Sequence, residues 1–426
     1  MTYYDVTQLV HWQGKLAGIP RVMHELAIRF ESEDPANTIF VSWVKEKKMY
    51  CEVNLGASLG PNSGVVYAGG GSDSATVAAS STGAKSQMKR LAKAGLRRSK
   101  KITPTLATKA ETYLKTKQYD GLSGVEIKAN DIIFIPWGEW WDPNFIQYLQ
   151  NEQKAGARLM PIIHDIGPMV QPQFSGHSTD SLADYCREIL PISSLVFVVS
   201  QHTKQDLIGW LKEEKLAVPK IEVFREGDDF QFAESIKPQD KALVNSGLKG
   251  QDYMLCVGTV EIKKNHALLY YVYKLAKQRG IELPKTVVVG RKGWKTETIE
   301  ELITEDADTR GNIIFLHDTS DEELSWLYDH CLFSIFPSFY EGWGIPIAES
   351  LARGVPCLCS NTSSMVEIAE GIVEHFSPAS SDECLGAIQK LLEPKNLATA
   401  RHRAKQYTPT TWDDSFKQVM QKIGEV

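Results

Sequence analysis

Glu341 and Glu349 bracket the stretch of this chain best suited to chemistry. Between them stand Gly342, Trp343, Gly344 and Ile345, and just before them runs an apolar segment, 331–336, of strand length. After them Ile347, Ala348, Leu351 and Ala352 recur with helical spacing until Gly354-Val-Pro356 stops the pattern. A strand, a glycine-rich turn and a helix N-terminus make an anion site. The first amides of the helix have no partner of their own, and its dipole favours negative charge. Glu341 is expected at the polar rim of the turn and Glu349 within the first helical turns, so both carboxylates can face one ligand. One acid for sugar hydroxyls, one for ribose hydroxyls and amides for a diphosphate suit a nucleotide-sugar.

A second turn carries cations. Val257-Gly-Thr-Val-Glu-Ile-Lys263-Lys264-Asn265 follows a strand-like run and precedes a helix that begins near His266 and continues through Leu268, Leu269, Tyr273 and Leu275. Two lysines at such a turn can meet a diphosphate as it gains charge on leaving, which is electrostatic stabilisation of a transition state. Elsewhere, Pro161-Ile-Ile-His164-Asp165 puts a histidine at a strand end. Gly18 and Arg21 lie in a turn ahead of the helical pattern Val22, Met23, Leu26, Ala27 and Phe30. That turn resembles the first glycine-rich loop of a known glycosyltransferase family, and the resemblance implies Gly18 as the close backbone approach and Arg21 as a contact for an anion.

These turns need strands to hold them. Short apolar runs recur at 6–10, 38–44, 131–136, 159–163, 195–200 and 221–224, and again at 253–257, 286–289, 312–316, 331–336, 355–359 and 372–376. They do not alternate polar with apolar and are spaced by helical lengths, the mark of parallel strands buried on both faces. The polar stretch 230–250 separates the two series. Two doubly wound α/β domains are expected, with ligand at the carboxyl ends of the strands in a cleft between them.

The motifs together resemble a known family. Glu341 to Glu349 is similar to the E-x7-E signature of retaining glycosyltransferases of the GT-B fold, and Glu341-Gly-Trp-Gly-Ile-Pro resembles the form found in glycosyltransferase family 4. The resemblance extends to Gly258-Thr-Val-Glu-Ile-Lys-Lys-Asn265, where Lys264 takes the place of the family's motif lysine and Lys263 that of its usual arginine. That exchange keeps the charge and loses the bidentate geometry. His164-Asp165 is similar to the family's His-Asp pair. The resemblance implies that His164 hydrogen-bonds the donor sugar from the first-domain side of the cleft, with Asp165 orienting its ring or capping the next turn. Val198-Val-Ser-Gln-His-Thr-Lys204 also resembles a family segment. Phe224-Arg-Glu-Gly-Asp-Asp229 departs from the family's P-N-G-V-D, which leaves the roles of Arg225 and Glu226 open.

Composition sets limits. A chain of 426 residues is too long for one ordinary core. Its 47 Lys and Arg against 53 Asp and Glu leave a formal charge of −6, so the whole molecule is no polyanion binder. The seven cysteines form no C-x-x-C pair and read as reduced, buried thiols of a cytosolic protein. The N-terminus lacks the pattern of a signal peptide, and no apolar run approaches the roughly eighteen residues that span a bilayer. Asp306-Ala-Asp308 has the spacing of a metal-binding Asp-x-Asp but sits in an acidic loop ahead of a strand, and no zinc spacing or P-loop appears. No metal or cofactor is expected beyond the nucleotide-sugar, itself a substrate.

One charge anomaly stands out. Residues 85–117 hold eleven Lys or Arg against a single acid, Glu111. Met88, Leu91, Ala92 and Leu96 could form the apolar face of a basic amphipathic helix, with Lys89, Arg90, Lys93, Arg97 and Arg98 on its other faces. An anionic membrane surface is the partner such a segment fits. A solvated insertion is the alternative, and nucleic acid fits poorly because no aromatic residue precedes Tyr113 in the segment.

The resulting expectation is a GT-B protein of two Rossmann-like domains. An acceptor-side domain spans 1–236 with a basic insertion at about 45–130. A nucleotide-sugar domain spans 251–408, and a helix at 409–426 crosses back to the first domain. Resemblance implies a metal-independent retaining transferase, cytoplasmic or peripheral at the inner face of the plasma membrane. It would move a hexosyl or deoxyhexosyl group, mannosyl above others, to a glycan or lipid-linked acceptor in polysaccharide biosynthesis. Catalysis would fall to Glu341, His164 and Lys264. Gly18, Arg21, Lys263, Gly342, Trp343, Gly344, Ile345 and Glu349 would bind substrate. The competing readings are a non-catalytic nucleotide-sugar-binding partner of a glycan assembly complex and a GT-B sugar-nucleotide epimerase.

Overall fold

A computed structural model describes the chain except for residues 13–15, 17, 59–64, 67–75, 78–121, 176–178, 230–247, 249 and 294–296. The basic segment 85–117 therefore lies outside the described residues. Two sheets organise the rest. The first has seven strands: β1 (Thr2–Asp5), β2 (Thr38–Val44), β3 (Met49–Glu52), β4 (Ile132–Ile135), β5 (Arg158–Ile163), β6 (Val196–Val198) and β7 (Ile221–Val223), in the order β3-β2-β1-β4-β5-β6-β7. The second has six: β8 (Tyr253–Val257), β9 (Lys285–Val289), β10 (Ile313–Leu316), β11 (Phe333–Phe336), β12 (Cys357–Ser360) and β13 (Glu374–Phe376), in the order β10-β9-β8-β11-β12-β13.

Both orders run outward from the first strand in one direction and resume beside it with a later strand in the other. The reversal falls between β1 and β4 in one sheet and between β8 and β11 in the other. Loops leaving the carboxyl ends of such neighbours diverge to opposite faces and open a crevice where ligands bind. All strand pairs resolved in the second sheet are parallel. In the first, β2 and β3 are antiparallel, while β1 pairs in parallel with β2 and β4, and β4 with β5.

Two expectations need correction here. The first strand is Thr2–Asp5 and not 6–10. Asp5 ends it by accepting the Thr7 backbone N–H at 2.8 Å together with the Thr7 hydroxyl, which turns the chain into the short helix Thr7–Val10. The supposed insertion from about 45 also begins inside the sheet, because Met49–Glu52 pairs with β2 as its antiparallel edge.

Contacts divide the chain into two compact units. The first comprises Met1–Ile162, Asp184–Val196 and Leu216–Lys220, and the second Ile163–Ala183, Phe197–Lys215 and Ile221–Val426. In the first, helix Ile19–Glu33 buries Val22, Met23, Leu26, Ala27 and Phe30, one apolar stripe at 3.6-residue spacing. Phe30 packs on Tyr4 and Phe134, the centres of β1 and β4. In the second, helix His266–Gln278 and helix Ser381–Leu392 cover Met254, Val288, Phe333, Ile335 and Leu358 in one core cluster. The seven cysteines are free and buried.

The C-terminal helix, Trp412–Gly424, docks on residues 225–229. Ser415 Oγ donates to the Arg225 carbonyl at 2.6 Å, Gln418 Oε1 accepts the Arg225 N–H at 3.0 Å, and Asp229 accepts the Trp412 N–H at 2.9 Å. The segment that departs from the family pattern is thus the seat of this helix.

Candidate active site

The loops after β8 and β11 leave neighbouring strands at the reversal of the second sheet, and side chains join them. Lys264 Nζ donates to Glu341 Oε1 at 2.7 Å and lies 4.9 Å from the centre of the Phe336 ring. The Phe339 N–H donates to the Lys263 carbonyl at 3.0 Å. Asn265, held in the left-handed region at φ 57°, donates to the carbonyls of Pro337 and Pro378. A short 3-10 turn, Ile262–Lys264, presents both lysines just ahead of helix His266–Gln278.

Glu341 is not at a solvent rim. It is 7% exposed, its N–H donates to Ser363 Oγ at 2.9 Å, and its carbonyl accepts from Ser364 Oγ at 2.8 Å. A carboxylate this deep needs a cation, and Lys264 supplies it. Two glycines then set the turn. A Cβ on Gly342 would come within 2.0 Å of the His164 carbonyl oxygen, so only glycine lets these backbones pass. Gly344 has φ 130° and caps helix Ile345–Ala352, whose second residue is Pro346. Glu349 is half-buried one turn on and accepts from the Tyr328 hydroxyl at 3.2 Å.

His164 and Asp165 fall in the same unit and have separate partners. His164 Nδ1 lies 3.3 Å from Glu226 Oε1, both groups being nearly buried. Asp165 accepts the Gly167 N–H at 3.0 Å and faces Lys263 Nζ at 3.4 Å, so it caps the turn. Burial opposes its charge, but Lys263 and the Gly167 amide outweigh that and hold the carboxyl below its usual range. Burial likewise works against the Lys263 ammonium, and Asp165, Glu341 and Glu261 outweigh it, raising Lys263 above the ordinary lysine value. Burial pushes Glu261 up against the pull of both lysines.

The remaining expected residues are placed as follows. Trp343 is 8% exposed, with the Arg225 guanidinium 5.5 Å from its ring centre. Gly18, at φ 58°, caps helix Ile19–Glu33, and Arg21 is half-buried in that helix's first turn; both belong to the first unit. Glu226 and Tyr328, which hold His164 and Glu349, were not legible as site residues in the sequence. The only local signal was the charge in the odd segment 224–229.

Comparison with known proteins fits this geometry. Residues 239–410 match the family described as glycosyl transferases group 1. O-antigen chain mannosyltransferase B of Escherichia coli is 27% identical over 288 residues, covering 65% of this chain and 72% of that protein. Serotype-specific mannosyltransferase WbdA of Escherichia coli is 22% identical over 66% of this chain, and the match spans only 35% of its length. Among solved structures, Anabaena HepE in complex with UDP and glucose superposes with a TM-score of 0.59 at 16% identity, covering 100% of this chain and 99% of that one. The fold is GT-B. Within the matched residues lie Lys263, Lys264, Glu341 and Glu349.

Proposed function

We propose that this chain is a retaining glycosyltransferase of family 4 that works without a metal ion. It moves a hexosyl or deoxyhexosyl group, mannosyl above others, from a nucleotide-diphosphate sugar to a glycan or lipid-linked acceptor in polysaccharide biosynthesis. The observation that carries this reading is the Lys264–Glu341 contact beside the N-terminus of helix Ile345–Ala352, at the strand reversal. The mannosyltransferase relatives favour the sugar.

Each group has a role that its chemistry suits. The first amides of the helix at Ile345, with Gly342 and Gly344 giving close backbone access, receive the diphosphate. Lys264 and Lys263 stabilise the charge that gathers on it as the glycosidic bond breaks, and the contact with Glu341 aims Lys264 before the donor arrives. Glu341 accepts sugar hydroxyls, Glu349 ribose hydroxyls, and His164, steadied by Glu226, hydrogen-bonds the sugar. Attack on the same face as departure lets the leaving phosphate take the acceptor's proton, so configuration is retained. Trp343 packs beside the turn, while Gly18 and Arg21 serve the acceptor and phosphates. The basic segment 85–117 brings the enzyme to the inner face of the plasma membrane, where a lipid-linked acceptor lies.

The test is a panel of nucleotide-sugars incubated with the protein in chelator, with and without glycolipid extract. Acceptor-dependent release of nucleoside diphosphate and an NMR product with the donor's anomeric configuration are expected. Inversion, or release only after metal is restored, would refute the corresponding part.

A further inference from the structure

We propose that Gln8, Trp137, Glu139, Trp140 and Trp141 form a sugar-binding subsite in the first unit, at the carboxyl ends of β1 and β4, and that it grips a pyranose ring of the acceptor glycan. Calling that glycan the acceptor rests on the glycosyltransferase reading above. The sugar subsite itself stands on its own residues.

β4 is buried along its length and delivers the chain into Trp137-Gly-Glu-Trp-Trp141. The segment is clamped at its far end, where Asp142 caps helix Pro143–Lys154 through the Asn144 N–H at 3.0 Å and accepts from the Trp43 indole at 3.0 Å. Its indoles form a connected group. Trp137 and Trp140 have ring centroids 5.8 Å apart at 35°, and Trp140 and Trp141 meet edge-on at 5.3 Å and 84°. Trp141 is 44% exposed. The Gln8 side-chain amide donates to Glu139, tying the segment after β1 to the segment after β4. The indole N–H groups of Trp137 and Trp140 are shielded and have no hydrogen-bond partner among the described residues.

This combination fits a neutral sugar better than other ligands. The C–H face of a pyranose packs on an indole, while hydroxyls need a carboxylate and an amide side by side. Unmade buried donors are costly, so a hydroxyl or bridging water reaching either indole is favoured. A phosphate-bearing ligand is disfavoured, because Asp5, Glu139 and Asp142 put acids around the cluster against Lys45. Burial, with the Asp5 charge, pushes Glu139 up to about 7 against the hydrogen bond from Gln8, so it can either accept from a hydroxyl or donate to one near neutrality.

Saturation-transfer NMR on the full chain, with methyl glycosides of α-mannose, glucose, galactose and N-acetylglucosamine and an α-linked mannobiose, reads this subsite without any donor. At least one glycoside should show transfer at its ring C–H protons. Trp141→Ala and Glu139→Gln should each weaken binding by about tenfold or more, with nucleoside diphosphate binding unchanged. Transfer to none of the glycosides, or equal binding by both variants, would overturn the proposal. Glycoside binding without nucleoside diphosphate binding would leave the subsite standing and remove the glycosyltransferase reading.

Discussion

Lys264 donates to Glu341 across 2.7 Å, and the two residues stand on loops leaving β8 and β11, the neighbours at which the strand order of the second sheet reverses. The pair fixes a cation and a carboxylate at one end of the sheet, beside a helix N-terminus that begins at Ile345.

Lys264 should therefore matter more than Lys263. Lys264→Ala is expected to lower turnover by roughly two to three powers of ten, the loss typical of deleting one preorganised charge-stabilising donor. Lys263→Ala should cost less, since Lys263 faces Asp165 at 3.4 Å. Steady-state rates on the two variants decide the ranking, and an equal or reversed order contradicts it.

Gly342→Ala forces a methyl group to within 2.0 Å of the His164 carbonyl oxygen. A backbone shift must follow, at about 1–3 kcal/mol, the usual range for overpacking. Thermal denaturation should show a lower Tm and transfer should fall with it. A variant as stable as the parent would mean the two backbones are further apart in solution.

The candidate site was partly legible because its parts are contiguous in sequence. The strand, glycine turn and helix from 333 to 352 announce themselves by local pattern, and so do the lysines before His266. Pairings across long stretches of chain left no such trace: Glu226 with His164, Tyr328 with Glu349. The first strand escapes the apolar pattern because Thr2-Tyr-Tyr-Asp5 is less apolar than the segment after it, although Tyr3 and Tyr4 are buried and pair with β2 and β4. β3 was hidden because an antiparallel edge needs only four residues, Met49–Glu52, against β2.

Glu139 makes stability depend on pH in a set direction. Its folded value of about 7 lies above the ordinary 4.5, so between these pH values the folded chain binds more protons than the unfolded one. Stability from this group therefore falls as pH rises through that window. Glu139→Gln removes the effect, and its Tm relative to wild type should be more favourable at pH 8 than at pH 5. A difference independent of pH would show that Glu139 titrates normally.

The cations of 85–117 should hold the protein on anionic vesicles. Each contributes on the order of 1 kcal/mol near the lipid surface, and Met88, Leu91 and Leu96 add shallow insertion. Co-sedimentation should weaken steeply with salt and fail on neutral vesicles. Neutralising Lys89, Arg90, Arg97 and Arg98 should abolish it. Equal sedimentation of both forms, or none at low salt, would make the segment a solvated insertion.

Glu341→Gln tests the central claim most directly, because the amide keeps the size and hydrogen-bonding reach of the side chain while removing its charge. Transfer from the nucleotide-sugar and binding of nucleoside diphosphate are measured on the same preparation. The account predicts at least about a hundredfold loss of transfer, with nucleoside diphosphate still bound through Lys264 and the helix N-terminus. Near-normal transfer by Glu341→Gln would contradict it.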